Sequence, residues 1–394
     1  MRKSIRGVNL DNKKVIIRCD FNVPIKNNVI EDDTRIKASL ETINYVLSKN
    51  TKVILMSHLG KIKEEKDKEK NSLLVVSKRL SELLGREVLF SSKTSGDELT
   101  NMVNSMNFGD VLLIENTRYE DLEGKKESSC DLELAKYWAS LADVFINDAY
   151  GTIHRKHASN YGIATFLPNA MGFLLEKEIE QIDKFMDSNE GLIVIMGGKK
   201  IQDKIPLIRN ILPKCDKLLI GGGMAATFLK VKGYNMGSSV IDEEALDFVK
   251  EMLDKHFKKI VLPVDVIVND EIKEEESSYK LIGNLDNSDM MLDIGTNTVS
   301  LFTDYIGSHN KVLMNGPVGV FEMDSYSVGT KNIFEYLAEN KIKTLICGGD
   351  TISALSKLKE ENNFLISTGG GATLSYLSEE DMPSLNVLNM EDDG

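Results

Sequence analysis

Short apolar runs recur along the whole chain, and almost none of them alternates with polar residues. Each ends in a polar or glycine-rich turn and is followed by a stretch with helical spacing. In the first half they are Lys14-Val15-Ile16-Ile17, Lys52-Val53-Ile54-Leu55-Met56, Val111-Leu112-Leu113-Ile114 and Val144-Phe145-Ile146. In the second half they are Leu192-Ile193-Val194-Ile195-Met196, Lys217-Leu218-Leu219-Ile220, Val312-Leu313-Met314, Thr344-Leu345-Ile346 and Phe364-Leu365-Ile366. A strand apolar on both faces belongs inside a parallel sheet covered by helices. The pattern therefore predicts an α/β chain with two parallel, doubly wound sheets. At 394 residues the chain is too long for one compact core, which agrees with two domains.

Between the two sets of runs, Leu175, Ile179, Ile182 and Met186 recur at three- and four-residue steps, so Met171 to Met186 reads as one long helix. Pro168-Asn169 is a start signal and Ser188-Asn189-Glu190-Gly191 a stop. Two placements stay open for it: a hinge helix joining the domains, or a surface helix of either one. Lys61 to Lys70, with mixed Lys and Glu, reads as a solvated loop or helix end. The acidic Glu391-Asp392-Asp393-Gly394 reads as a frayed end.

A net charge of −13 argues against nucleic acid or an acidic membrane surface as partner, since both are bound by clustered cations. No run reaches the roughly 18 apolar residues of a membrane span, and the start of the chain lacks the apolar core of a signal peptide. A cytoplasmic protein is expected. Cys19, Cys130, Cys215 and Cys347 form no CxxC pair and are expected to be reduced packing residues. None of this excludes a small anionic substrate, because a few arginines converging in one cleft reverse the potential locally.

In open parallel sheets ligands bind beyond the carboxyl ends of the strands. There the halves differ. The first half carries Asp20-Phe21-Asn22, Ser57-His58-Leu59-Gly60, Glu115-Asn116-Thr117-Arg118 and Asn147-Asp148-Ala149-Tyr150-Gly151, the last leading into His154-Arg155-Lys156-His157. With Arg35, the arginines Arg118 and Arg155 and the histidines His58 and His154 are placed to converge on one phosphorylated, carboxylated molecule, since guanidinium forks match oxyanions two bonds at a time. Each arginine alone is equally readable as a surface ion pair. The Asp20–Pro24 turn is equally readable as purely structural. His157 and His256 read as loop-orienting residues.

The second half ends its strands in glycine: Gly197-Gly198, Gly221-Gly222-Gly223, Asn315-Gly316-Pro317, Gly348-Gly349-Asp350 and Gly369-Gly370-Gly371. Glycine lets backbone approach a ligand, and N–H groups at a helix start hold phosphate. Lys200 and Lys204, spaced to share one side of a helix, are placed to neutralise polyphosphate. Asp350 is placed to meet magnesium. A rival reading exists: Gly221-x-Gly223-x-x-Ala226 with Asp242 about twenty residues on satisfies a loose dinucleotide fingerprint. That pattern predicts one glycine turn, however, and at least five are present. No GxxxxGK[ST] occurs, so a nucleotide would be held by several dispersed loops.

At these residues the chain closely resembles the phosphoglycerate kinase family, over essentially its whole length. The motifs are Arg18-Cys19-Asp20-Phe21-Asn22-Val23-Pro24, Ser57-His58-Leu59-Gly60, Glu115-Asn116-Thr117-Arg118-Tyr119, Asn147 to Thr152 with His154 to Ser159, Gly197 to Lys204, Gly221 to Ala225, Asn315 to Glu322, Gly348 to Thr351, and Ser367 to Ala372. The resemblance implies two Rossmann-like domains, residues 1–170 binding phosphoglycerate and 171–378 binding magnesium-nucleotide, with segment 379–394 returning to the first. It implies reversible phosphoryl transfer between 1,3-bisphosphoglycerate and ADP, with Mg2+; as no interaction tail is apparent, a monomer is expected. By matching positions, Asp20, Asn22, Arg35, His58, Arg118 and Arg155 would hold phosphoglycerate. Gly198, Lys200, Lys204, Gly222, Asn315, Pro317, Glu322, Gly349, Asp350 and Thr351 would line the nucleotide site, with Glu322 toward the ribose and Asp350 toward the metal. Arg35, Lys200 and the Gly370 and Gly371 amides would stabilise charge on the moving phosphoryl group.

Lys61, Lys199, Met314 and Ser375 depart from the family pattern, where Arg, a small residue, Trp and an acidic residue are usual; altered affinity rather than lost activity is expected. Besides the active kinase, two readings are carried: a nicotinamide-dependent dehydrogenase, and a noncatalytic relative that binds nucleotide without turnover.

Overall fold

A computed structural model describes residues 3–188, 190–274, 277–307, 311–357 and 364–388. Asn189 of the expected stop signal and the acidic Glu391–Gly394 end lie outside the described residues. The chain divides into two compact units, one of Met1–Gln181 with Asp381–Gly394 and the other of Ile182–Glu380. The division falls inside the helix Phe173–Met186, eleven residues beyond the expected boundary at 170/171.

In the first unit, β1 (Lys14–Arg18) is followed by a short hairpin of β2 (Ile25–Lys26) and β3 (Val29–Ile30), and then by β4 (Lys52–Met56), β5 (Val88–Ser91), β6 (Val111–Ile114), β7 (Val144–Asn147) and β8 (Asn169–Met171). Apart from the hairpin these make one parallel sheet in the order β5-β6-β4-β1-β7-β8. The interiors of β1, β4, β6 and β7 are buried throughout, as their unalternating apolar runs require. Val15, Ile17, Val53, Leu55, Val111 and Leu113 form the core with Ile43, Val46, Val76 and Leu80 of the covering helices. Both β4 and β7 pair directly with β1, so the chain leaves the sheet centre in opposite directions there. That is the crevice where doubly wound sheets bind ligands. Residues 383–386 form a last short helix whose Ser384 donates from N to Ile153 O at 3.2 Å and from Oγ to Arg155 O at 2.6 Å.

The second unit repeats the scheme with β9 (Leu192–Met196), β10 (Lys217–Ile220) and β11 (Ile260–Val261). It then inserts β12 (Asp265–Asn269), β13 (Ser278–Leu281) and β14 (Met290–Ile294), and resumes with β15 (Lys311–Asn315), β16 (Thr344–Cys347) and β17 (Leu365–Ser367). Its parallel order is β11-β10-β9-β15-β16-β17, with the reversal between β9 and β15. The inserted strands form a separate antiparallel sheet, β13-β12-β14, that the run-by-run reading did not anticipate. Its outer strand β13 is mostly exposed, so it carries none of the apolar density that marks the parallel strands.

Candidate active site

Around the first reversal, the loop ends of β1, β4, β6 and β7 carry the residues the first half was expected to contribute. Asp20 accepts from Arg35 Nη1 at 2.9 Å, and its other oxygen accepts the Asn22 amide at 3.2 Å. Asn22 Oδ1 accepts Gly60 N at 2.8 Å, while Arg118 Nη1 donates to Gly60 O at 3.2 Å. One residue, Gly60, thus ties the loops after β1, β4 and β6 together. Asn116 braces the same loop, donating from Nδ2 to Leu59 O at 2.7 Å and accepting from Leu59 N.

His58 is buried, and burial holds it well below the ordinary histidine range; Arg18, Arg118, His157 and Arg155 push in the same direction. Burial likewise lowers Arg118, with Arg155 as the next cause. His157 is pushed down to about 3, again by burial first and then by Arg18, Arg118 and Arg155. These groups are close enough to repel one another's protons, which is the electrostatic condition of a site awaiting an anion. Arg118 Nε is buried and has no hydrogen-bond acceptor among the described residues. A buried guanidinium donor left open is costly unless a ligand completes it. Arg155 is exposed and donates from Nε to His154 Nε2 at 3.2 Å.

The fully buried Arg18 was part of a recognised motif but had no role in the sequence reading. It donates to Ser159 Oγ from Nε at 2.9 Å, to Cys19 O from Nη1, and to His58 Nδ1 from Nη2 at 3.1 Å. An arginine closing an otherwise apolar strand was the signal available for it. Glu127, also fully buried, gave none, because it lies in the mixed-charge run Glu123-Gly124-Lys125-Lys126-Glu127 that reads as solvated surface.

At the second reversal the glycine-ended loops are stitched backbone to backbone. Gly198 N donates to Pro317 O at 2.8 Å and Gly222 N to Val318 O at 2.8 Å. Only glycine fits at 222: its φ is +60°, and an added Cβ would lie 2.7 Å from Gly198 N and 2.9 Å from Pro317 O. A cavity of about 250 Å3 opens here, lined by Gly198, Gly222, Pro317, Glu322 and Asp350 of the expected set. Much of its remaining wall is apolar, from Val240, Ile272, Met290, Met291, Leu292 and Phe321, a slot suited to the flat face of a base. Met290, Met291 and Leu292 of that wall were missed because they belong to β14 of the unforeseen antiparallel sheet. Two larger hollows among the described residues, near Phe334 and near Phe257, have no glycine strand ends.

The expectation that Lys200 and Lys204 share a helix face does not hold. Lys200 is an exposed residue ahead of the 3-10 turn Gln202–Lys204. Lys204 turns inward: its Nζ donates to Gly197 O at 2.5 Å and Asn315 O at 2.9 Å, pinning β9 to β15 at the reversal itself. Burial pushes its amine down to about 8. Lys199 lines the cavity where Lys200 does not. Thr351 and Asn315 lie beneath the loops: Thr351 Oγ1 accepts Gly316 N at 2.7 Å and donates to Cys347 O at 2.8 Å, and Asn315 Nδ2 donates to Cys347 O at 3.0 Å. Gly349 starts the helix Gly349–Leu355, and Gly370 precedes the helix Gly371–Leu377 after the edge strand β17; none of the three glycines Gly349, Gly370 and Gly371 lines the cavity.

Asp350 is exposed at the start of its helix, and among the described residues no three His, Cys, Asp or Glu side chains gather as a metal site. One carboxylate beside a polyphosphate pocket fits a magnesium ion that arrives with its nucleotide and keeps waters and phosphate oxygens as its other ligands. The dinucleotide rival fares worse. Its glycine turn follows β10, one strand away from the reversal, and Asp242 Oδ2 is already taken by Ile201 N at 2.9 Å and Gln202 N at 3.4 Å.

Comparison with known proteins agrees with this geometry. The model of the family "Phosphoglycerate kinase" matches residues 5–380. The phosphoglycerate kinase of Fusobacterium nucleatum is 48% identical, with 99% of this chain and 100% of that protein covered. The Enterococcus faecalis enzyme is 47% identical, covering 98% and 99%. The solved phosphoglycerate kinase from Coxiella burnetii superposes with a TM-score of 0.87 at 35% identity, covering 98% of this chain and 99% of that one. The Pyrococcus horikoshii structure gives 0.82 at 30% identity, with 98% of each chain covered. With near-complete coverage in sequence and structure alike, the chain belongs to the phosphoglycerate kinase family.

Proposed function

We propose that the protein transfers a phosphoryl group reversibly from 1,3-bisphosphoglycerate to ADP, giving 3-phosphoglycerate and ATP, with magnesium accompanying the nucleotide. The observation that carries the substrate half of this reading is the mutually repelling group Arg18, Arg118, Arg155, His58 and His157 at the first reversal, with Arg118 Nε open. Phosphate and carboxylate are the oxyanions that such a cluster recognises. Asp20, Asn22, Arg35, His58, Arg118 and Arg155 are the residues we assign to phosphoglycerate. The apolar slot and glycine loops, with Lys200, Glu322 and Asp350, are assigned to the nucleotide, and Lys204, Asn315 and Thr351 hold those loops from below.

The acceptor is either an ADP oxygen or a carboxylate, ionised at neutral pH because its ordinary pKa is about 3.5. No general base is needed, and the buried, neutral histidines are consistent with that. Catalysis then consists of alignment and charge stabilisation by Arg35, Lys200 and the Gly370 and Gly371 amides. A magnesium ion held by Asp350 and the nucleotide's phosphates would neutralise phosphate charge. Since one ligand is assigned to each unit, transfer requires the two to be brought into line with water excluded, so domain closure belongs to the reaction. We further propose a cytoplasmic monomer that binds neither nucleic acid nor membrane.

A coupled assay with purified protein tests the reaction. ATP formation from 1,3-bisphosphoglycerate and ADP that disappears when magnesium is chelated is expected. Hydride transfer to a nicotinamide nucleotide, or nucleotide binding without turnover, would replace the reading with one of its rivals.

A further inference from the structure

Behind the cation cluster runs a chain of buried hydrogen bonds whose polarity is fixed from end to end. Glu127 Oε2 accepts Ser159 N at 2.9 Å, and Glu127 Oε1 accepts the Ser159 hydroxyl and Thr117 Oγ1, the latter at 3.3 Å. Ser159 Oγ in turn accepts Arg18 Nε at 2.9 Å. Arg18 Nη2 reaches His58 Nδ1 at 3.1 Å. Arginine has no acceptor, so the imidazole must accept at Nδ1, and its single remaining proton sits on Nε2. Every link is thus a donor facing an acceptor, starting from a carboxylate and ending on a residue assigned to phosphoglycerate. Glu127, Arg18 and Ser159 are fully buried and Thr117 is too, so water does not relieve a broken link.

Among the carboxylates Glu127 does most to offset the burial of Arg18, ahead of Asp20, and His157 Nδ1 lies 3.9 Å from its Oε1. We infer that Glu127 is a positioning residue for phosphoglycerate, anchoring Ser159 and Arg18 so that His58 meets the substrate as a neutral ring carrying its proton on Nε2. It touches no ligand itself. The inference rests on the assignment of the cation cluster to phosphoglycerate.

The test combines kinetics with side-chain nitrogen NMR of His58 in two variants. Glu127→Gln keeps the shape but has one acceptor oxygen where Ser159 needs two. Ser159→Ala removes only the relaying hydroxyl and serves where the first variant does not fold. In the wild type His58 should show a single Nε2–H tautomer. In either variant an Nδ1–H population should appear, and KM for 3-phosphoglycerate should rise about tenfold or more, the effect of losing a charge-assisted hydrogen bond. KM for ATP should stay within about twofold. A tautomer change without the KM rise, a KM rise without the tautomer change, or parallel losses in both KM values would each overturn the inference. Arg118→Ala separates the parent assignment: if it leaves KM for 3-phosphoglycerate unchanged, the cluster is not that site, whereas a rise there with silent Glu127 and Ser159 variants sinks the positioning role alone.

Discussion

Lys200 and Lys204 stand four residues apart and do opposite things. Lys204 is spent on two backbone carbonyls at the second reversal; Asn315 O also accepts Gly197 N at 3.1 Å, so Lys204→Ala should leave Gly197 O without its partner and cost about 1–3 kcal/mol, read as a lower midpoint of chemical unfolding. Lys200 is exposed and makes no such bond, so Lys200→Ala should leave the unfolding midpoint in place while lowering kcat far more than the affinity for ATP. Equal loss of both kinetic quantities would contradict its assignment to the moving phosphoryl group. Gly222→Ala is a third case. The new Cβ meets backbone rather than a flexible side chain, at a φ that alone costs about 1 kcal/mol for a residue other than glycine, and nucleotide affinity should fall at least about tenfold by calorimetry.

Among the elements, the helix Phe173–Met186 is held at its two ends by the buried side chains of Asp148 and Lys311. Asp148 Oδ1 accepts the first-turn amides of Leu174 at 2.9 Å and Leu175 at 3.3 Å. Lys311 Nζ donates to Phe185 O, Met186 O and Ser188 O, each at 2.8 Å. Burial pushes Asp148 up to about 7 despite those amides. A carboxyl raised in the folded state contributes stability that is full below its unfolded pKa, near 4, and is lost as pH rises through about 7. Asp148→Asn should therefore flatten the fall in melting temperature between pH 4 and 7 relative to the wild type; an unchanged slope would show that Asp148 does not titrate there. The helix was legible from its three- and four-residue apolar steps, and most parallel strands because burial on both faces leaves an unalternating apolar run; β5, β8 and β11 were not read, and β8 stands where Pro168-Asn169 signalled a helix start. Of the antiparallel strands, exposed β13 carries no such run, whereas Val266-Ile267-Val268 in β12 and Met290-Met291-Leu292 in β14 do and were passed over, and part of the base slot was lost with them. Arg118, His58 and Asn22 were readable as strand-end residues, while Glu127 acquires its role only from a fold that buries a residue looking like surface.

For the whole molecule, each parallel sheet has its own core and its own reversal, and ligand effects should divide the same way. Magnesium-ADP at about 100 times its Kd should stabilise by roughly 2.7 kcal/mol what it binds. In hydrogen exchange it should slow amides of the loops after β9, β10, β15 and β16, whereas 3-phosphoglycerate should slow those after β1, β4, β6 and β7. Protection in the opposite unit alone would reverse the assignment of the two sites. The short helix Pro383–Asn386, fastened to Ile153 and Arg155, belongs to the first unit although the entire second unit precedes it in the chain. On a ribosome, the roughly two hundred residues between Gln181 and Asp381 take about 10–40 s to synthesise, and throughout that time the loop carrying Arg155 waits without its final support. The substrate half, made first, is finished last.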